Sequence, residues 1–261
     1  MKKKKILVLA DHPLSPSGVG TQTKYFIEAL LKTGRYQFIC LGGAMRHNDY
    51  SQIAVDPWGQ DFRVIPVDNY GSPEIIRSIL QKERPDVLWF MTDPRFYEWL
   101  WEIENEVRSL VPMVYYHVWD NFPAPEYNGK WYRSTDEIVA ISKVTRDIVK
   151  EVVPDGSVRY LPHSVPGTSV NYNNPNKKIF SWNSRNARRK LSGTLIWWFK
   201  EFLDEVGHDK ASLLMHTDAR DPNGQDLPHI INRLGVTDGQ VLLSTNKVGP
   251  EDLAHMYRAA D

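Results

Sequence analysis

Apolar residues along this chain gather in short continuous runs separated by stretches of helical period. Runs of this kind mark strands buried on both faces, as in a parallel sheet, where strict alternation would mark a half-exposed one. Candidate strands lie at 5–10, 37–41, 62–67, 87–91, 113–118, 137–141 and 158–161, then at 178–182, 212–215 and 241–244. Between them, Ile75, Ile76, Ile79 and Leu80 share one face of a helix, and Ser72, Pro73 and Glu74 suit its first turn. Strand and helix in repeated succession predict an α/β fold of βα units on mostly parallel sheets.

The stretch 162–176 breaks the pattern with three prolines and four asparagines, residues that favour turns over ladders or helices. The expected organisation is an N-terminal Rossmann-like domain at 1–165, a linker at 166–176 and a second domain at 177–261. About seven strands fall in the first part. The second shows three strands and three helices, stops directly after the helix-like 250–260, and so reads as incomplete.

Composition narrows the function classes. The chain has 261 residues, with 32 Lys and Arg against 32 Asp and Glu, and 41% of it is hydrophobic. That is the profile of a soluble globular protein with ample core. Zero net charge argues against a protein that coats nucleic acid, because such affinity comes from a surplus of cations. The single cysteine, Cys40, forms no internal disulfide and no cysteine-based zinc site, so a cytoplasmic location is expected. The apolar run behind Lys2–Lys5 stops at Asp11, too short for an export signal or a membrane span. The lysines are expected to solubilise the terminus, with peripheral attraction to anionic lipid as the alternative.

Three loops carry candidate chemistry. After the first strand, Ser17, Gly18, Val19 and Gly20 precede the helical Lys24–Leu31; glycines there allow close backbone approach, and a helix N-terminus offers unpaired N–H groups to an anion. Thr23 stands where a nicotinamide fingerprint wants a third glycine, and 38–42 lacks the acid that would hold the ribose, so a phosphate or sugar contact is favoured over a dinucleotide. A turn that merely starts the helix is the plain alternative. The fifth strand ends in His117, facing the cleft beyond the strand ends where ligands of doubly wound sheets bind, although a lone histidine is also a common structural residue. Trp119, Tyr127, Trp131 and Tyr132 nearby suit either stacking on a ligand or core packing.

The eighth strand leads into Ser184–Leu191, with Arg185, Arg188, Arg189 and Lys190 just before an apolar helix. Cations at such a strand-to-helix loop suit a diphosphate; a solvated basic loop is the competing reading. His216, Asp218, Asp221 and Asp226 hint at calcium or magnesium, but no calcium-loop glutamate follows, and Asn223–Gly224 reads as a turn before a helix near Asp226. No metal is expected.

In this order the motifs resemble glycosyltransferase family 4 of the GT-B fold, which has two Rossmann-like domains. Gly18–Gly20 resembles the glycine-rich loop after the family's first strand, and His117 stands where the family carries a histidine that touches the donor sugar. Asp136–Ser142 is similar to the following strand and serine, and Tyr160–Val165 to the segment entering the linker, with His163 and Ser164 departing from it. Arg185 and Lys190 match the pair that binds the donor diphosphate. The resemblance implies a retaining transferase moving a sugar from a nucleotide diphosphate sugar to an acceptor hydroxyl, with His117, Arg185 and Lys190 as catalytic residues. Gly18, Val19 and Gly20, with Arg185 and Lys190, would hold the donor. It implies no cofactor beyond that donor, and it leaves open whether the acceptor is a glycan, a lipid-linked sugar or a small molecule. In the family a Tyr-x-Ala-Ala-Asp segment, here Tyr257–Asp261, continues into a Gly-Phe-Gly loop and a two-glutamate motif absent here. A C-terminally truncated chain of weak or no activity is therefore expected, with a non-catalytic nucleotide-sugar-binding module or a nucleotide-sugar epimerase as alternatives.

Overall fold

The computed structural model describes residues 2–163 and 177–260. The chain divides into two compact units, Met1–Pro166 and Gly167–Asp261. The expected linker, 166–176, lies outside the described residues, as does Ser164.

The first unit runs β1 (Lys4–Asp11), α1 (Gly18–Leu31), β2 (Tyr36–Gly43), β3 (Ile53–Val55), β4 (Gly59–Pro66), α2 (Pro73–Glu83), β5 (Val87–Met91), α3 (Glu98–Glu102) and α4 (Glu104–Arg108). It continues with β6 (Met113–His117), α5 (Gly129–Arg133), β7 (Glu137–Ala140), α6 (Lys143–Val152) and β8 (Val158–Tyr160). Its eight strands form one sheet in the order β3-β4-β2-β1-β5-β6-β7-β8. All neighbours are parallel except β3 and β4. The strand beyond the seven expected is β3, a three-residue edge element too short and too exposed to leave a sequence pattern.

Continuous burial from Ile6 to Asp11 follows from β1 lying mid-sheet with helices on both faces. On one face α1 buries Gly20, Thr23, Ile27 and Leu31, one helical stripe, and Phe26 stacks on Trp89 with centroids 4.9 Å apart. On the other, α2 buries Ile76, Ile79 and Leu80. Ser72 caps α2 by accepting from the Ile75 N–H, with Pro73 inside its first turn, as the sequence predicts. The basic head of the chain is neutralised within the unit: Lys3 pairs with Asp61, Lys4 with Asp86 at 2.7 Å, and Lys5 with Glu83 at 2.9 Å. Arg63 grips the same Glu83 with both ends of its fork.

The second unit contains β9 (Lys178–Asn183), α7 (Ser192–Val206), β10 (Ala211–His216), α8 (Leu227–Leu234), β11 (Val241–Ser244) and α9 (Pro250–Arg258). Its sheet has the order β11-β10-β9, all parallel. Ile196, Phe199 and Leu203 of α7 and Leu227 and Ile231 of α8 pack on Leu213 and Met215 of β10. Among the described residues no helix is long and apolar enough to cross a membrane.

Candidate functional site

The strand order of the first unit reverses at β1: the chain builds outward through β2 and β4, then returns to lay β5 along the other side of β1. Ligands of such sheets bind beyond the carboxyl ends of the strands at this reversal. Three loops meet there, after β1, β5 and β6.

After β1, Ser17 is extended and caps α1, its hydroxyl taking the Gly20 N–H at 2.9 Å. The first-turn N–H groups of Gly18 and Val19 have no intrahelical acceptor. A Cβ on Gly20 would lie 2.6 Å from the His12 carbonyl oxygen, so that position demands glycine, whereas Gly18 is open on its outer side. Buried Asp11 organises the turn, accepting from the Ser17 hydroxyl at 2.6 Å and from the Tyr70 hydroxyl at 2.8 Å. The Tyr97 hydroxyl stitches the two strand ends together, 2.8 Å from the Leu9 carbonyl and 2.7 Å from that of Met91.

After β5, Thr92 holds φ 118, a region that β-branched residues almost never enter. Strain of this sort, about 1–3 kcal/mol, persists where surrounding structure enforces it and concentrates at functional sites. Here it turns the chain so that Asp93 caps a short helical turn at Pro94–Tyr97 and lines a cavity of about 130 Å³ with Arg95, His117, Trp119 and Asp120. Asp93 and Arg95 are joined as a two-point pair, 3.0 Å from Nε and 2.7 Å from the guanidinium terminus. Burial pushes the Asp93 pKa up, but the bonds from Arg95 outweigh it and hold the carboxyl below its usual range.

His117 ends β6 fully buried. Burial pushes its pKa down to about 3, against an opposing pull from Asp93, so the ring is neutral at pH 7. Nε2 lies 2.7 Å from the Tyr132 hydroxyl, which also accepts from Asn128 Nδ2 at 3.2 Å. Nδ1 is buried and has no partner. A buried ring nitrogen left unmatched inside the fold is uncommon.

In the second unit Arg185 and Lys190 flank one short loop at the carboxyl end of β9, both exposed. Arg185 is held by Asp221 through Nε at 2.6 Å and a guanidinium terminus at 3.2 Å, and this pairing keeps the Asp221 carboxyl below its usual range. Buried Asn186 binds the loop to the 217–226 segment, donating to the Gln225 carbonyl at 2.7 Å and accepting from the Ser192 hydroxyl. The acids weighed above as metal ligands thus have other duties: Asp221 fixes Arg185, Asp218 accepts from the Arg220 N–H, and Asp226 caps α8. Among the described residues no three His, Cys, Asp or Glu side chains gather as metal ligands would.

Every site residue expected from sequence therefore lies at the carboxyl end of a parallel strand, with Gly18–Gly20 and His117 in the first unit and Arg185 and Lys190 in the second. Ser142 caps α6, in line with the strand-and-serine motif. Sequence reasoning missed Asp93, Arg95 and the structural acid Asp11. The abrupt end of the first apolar run at Asp11 was the available signal for that residue.

No family model and no curated protein matches this sequence. Solved structures do match. An UDP-forming alpha,alpha-trehalose-phosphate synthase from Burkholderia xenovorans is 13% identical with a TM-score of 0.61, over 99% of this chain and 77% of its own. A trehalose-6-phosphate protein from E. coli bound with UDP-2-fluoro glucose is 11% identical at a TM-score of 0.67, over 99% and 77%. The fold is GT-B. A complex of S. aureus MnaA with UDP shares it, 13% identical at a TM-score of 0.56, over 99% of this chain and 73% of that one. At such identities the likeness is one of fold.

Proposed function

We propose that this chain is a retaining glycosyltransferase that moves a sugar from a nucleotide diphosphate sugar to an acceptor hydroxyl. The observation that carries the reading is the neutral, buried His117, whose Nδ1 is unmatched beside a cavity at the strand-order reversal of a GT-B fold. The printed descriptions of the neighbours, with their UDP and UDP-2-fluoro glucose, support a uridine nucleotide as the first donor to try.

In this mechanism the bond from the anomeric carbon to the diphosphate oxygen breaks, and a bond to the acceptor oxygen forms on the same face. The acceptor proton passes to the departing diphosphate. Arg185 and Lys190 offset the charge growing on that diphosphate, which stabilises the transition state more than the ground state. The Gly18–Val19–Gly20 turn lets backbone N–H groups approach an oxygen of donor or acceptor, and His117, at the end of β6, positions the donor sugar. No side-chain nucleophile is needed, and no metal is required for the role of the two cations.

Arg185→Ala and Lys190→Ala are expected to abolish transfer and weaken UDP binding by tenfold or more with the fold intact. Unchanged binding and turnover in both would sink the assignment. The tie between Arg185 and Asp221 favours a second reading, a non-catalytic nucleotide-sugar-binding module, because a guanidinium already paired offers fewer donors to a diphosphate. Binding of a nucleotide sugar without hydrolysis or transfer would select it, and interconversion of the donor alone would select an epimerase.

A further inference from the structure

Helix α7 has two apolar faces and buries only one of them. Ile196, Phe199 and Leu203 pack on β10. A second set, Leu191 at the N-cap followed by Leu195, Trp198, Phe202 and Val206, recurs at helical spacing and forms a stripe about a quarter turn round from the first. Leu191, Trp198, Phe202 and Val206 are exposed, Trp198 by 59%, and Trp197 beside it by 56%. Among the described residues these are the two exposed tryptophans. Exposed Phe180 of β9 meets Phe202 edge-on with centroids 5.6 Å apart and widens the patch. Contiguous apolar surface of this kind marks an interaction face.

The spacing selects the partner. Positions 191 and 206 share their midpoint with 195 and 202, next to Trp198, so the stripe reads the same from either end. Laid antiparallel on a copy of itself about a two-fold axis, it sets Leu191 against the partner's Val206 and Leu195 against the partner's Phe202, with both Trp198 rings at the centre. Charge agrees with that direction. Arg188, Arg189 and Lys190 precede the helix, and Glu201 and Glu205 lie in its last two turns. Among the described residues Arg188, Arg189, Glu201 and Glu205 have no ion partner. Antiparallel pairing brings Glu205 close to the partner's Arg189, whereas parallel pairing would set like charges together at both ends. The two glutamates also oppose an anionic lipid surface. We propose that α7 is a dimer contact, paired antiparallel with the same helix of a second copy of this chain. Its 15 residues span about 22 Å, so the contact falls at the small end of protein interfaces and the dimer is expected to dissociate in the micromolar range.

Sedimentation equilibrium of the full chain across micromolar concentrations is expected to show monomer and dimer and no larger species. Trp198→Glu is expected to raise the dissociation constant at least tenfold, with circular dichroism unchanged. Arg189→Glu and Glu205→Arg are each expected to weaken the dimer several-fold, and the two together in one chain to restore it, because a two-fold contact exchanges both charges at once. Damage to the fold does not produce that recovery. Under mild oxidation Trp198→Cys is expected to form a covalent dimer that the unaltered chain, whose Cys40 is buried, does not form. A monomer at every concentration overturns the proposal, and so does a monomer that sediments with anionic vesicles. A dimer indifferent to Trp198→Glu overturns the choice of face, and a double charge variant no tighter than the single ones overturns the antiparallel pairing.

Discussion

The Tyr115 hydroxyl donates to the Thr92 carbonyl across 2.5 Å, from the strand next to the one that Thr92 follows. Tyr115 is fully buried and stacks on Phe90 with centroids 4.7 Å apart, so its hydroxyl is a fixed point. The bond pins the left-handed backbone at Thr92 and with it the aim of Asp93. Thr92→Gly adopts φ 118 freely and is expected to change stability by no more than about 1 kcal/mol, since relief of strain and loss of stiffness oppose each other. Binding of a nucleotide sugar is expected to fall several-fold all the same. Paired urea melts and titrations check this, and undiminished binding would show that the strain does not serve the site.

Tyr132→Phe leaves Nε2 of His117 and the amide of Asn128 unmatched in a buried place. Leaving such groups unpaired costs about 1–3 kcal/mol. The variant is expected to be destabilised by that amount in urea. Nitrogen-15 shifts of the unaltered chain are expected to show a singly protonated His117 ring at pH 7, and a doubly protonated ring would refute the neutral assignment.

Acid should weaken the first unit in two overlapping steps. His117 has its pKa pushed down to about 3 by burial, below the ordinary 6.5, so between these values the unfolded chain binds a proton that the fold refuses. Stability then falls as pH drops from 6.5, by up to about 1.4 kcal/mol per unit. Glu83 is held at about 2, below its ordinary 4.5, chiefly by the bonds from Arg63 and further by Lys5, against burial. Its contribution is full above 4.5 and is lost as pH falls toward 2. Glu83→Gln is expected to be about 1–2 kcal/mol less stable at pH 7 and to show a flatter loss below pH 4.5. An unchanged acid limb in urea melts at several pH values would contradict this.

In the second unit a Cβ on Gly224 would lie 1.9 Å from the Asn186 carbonyl oxygen. Neither loop can yield without disturbing the buried Asn186 network, so Gly224→Ala is expected to destabilise the unit by about 1–3 kcal/mol and to weaken UDP binding by displacing Arg185. Normal UDP affinity in this variant would separate the loop from the nucleotide.

What sequence reasoning reached and what it missed follow one physical line. Strands such as β1 and β5 are buried on both faces, and their apolar runs are visible without any partner. Three-residue β3, two of its residues exposed, takes its existence from the edge of β4 and carries no periodic signal. The place of His117 at the end of β6 was legible from the apolar run that precedes it. Asp93 was not, because a lone aspartate before proline reads as a turn residue until the backbone at Thr92 and the fork of Arg95 are seen. Asp221 was visible as an acid, but its role was not, since its partner Arg185 is 36 residues away.

The central place of β1 has a consequence for how the chain reaches its fold. Both of its edges are covered only after β2 and then β5 have been made, and until then Ile6–Ala10 is an apolar, β-prone run with nothing beside it. Segments of that kind self-associate while they wait, and charged neighbours restrain them. The lysines before it and Asp11 after it are placed as such guards. Once the sheet closes, Lys4, Lys5 and Asp11 exchange that duty for the bonds to Asp86, Glu83, Ser17 and Tyr70, so residues that protect the nascent chain become ties of the finished one.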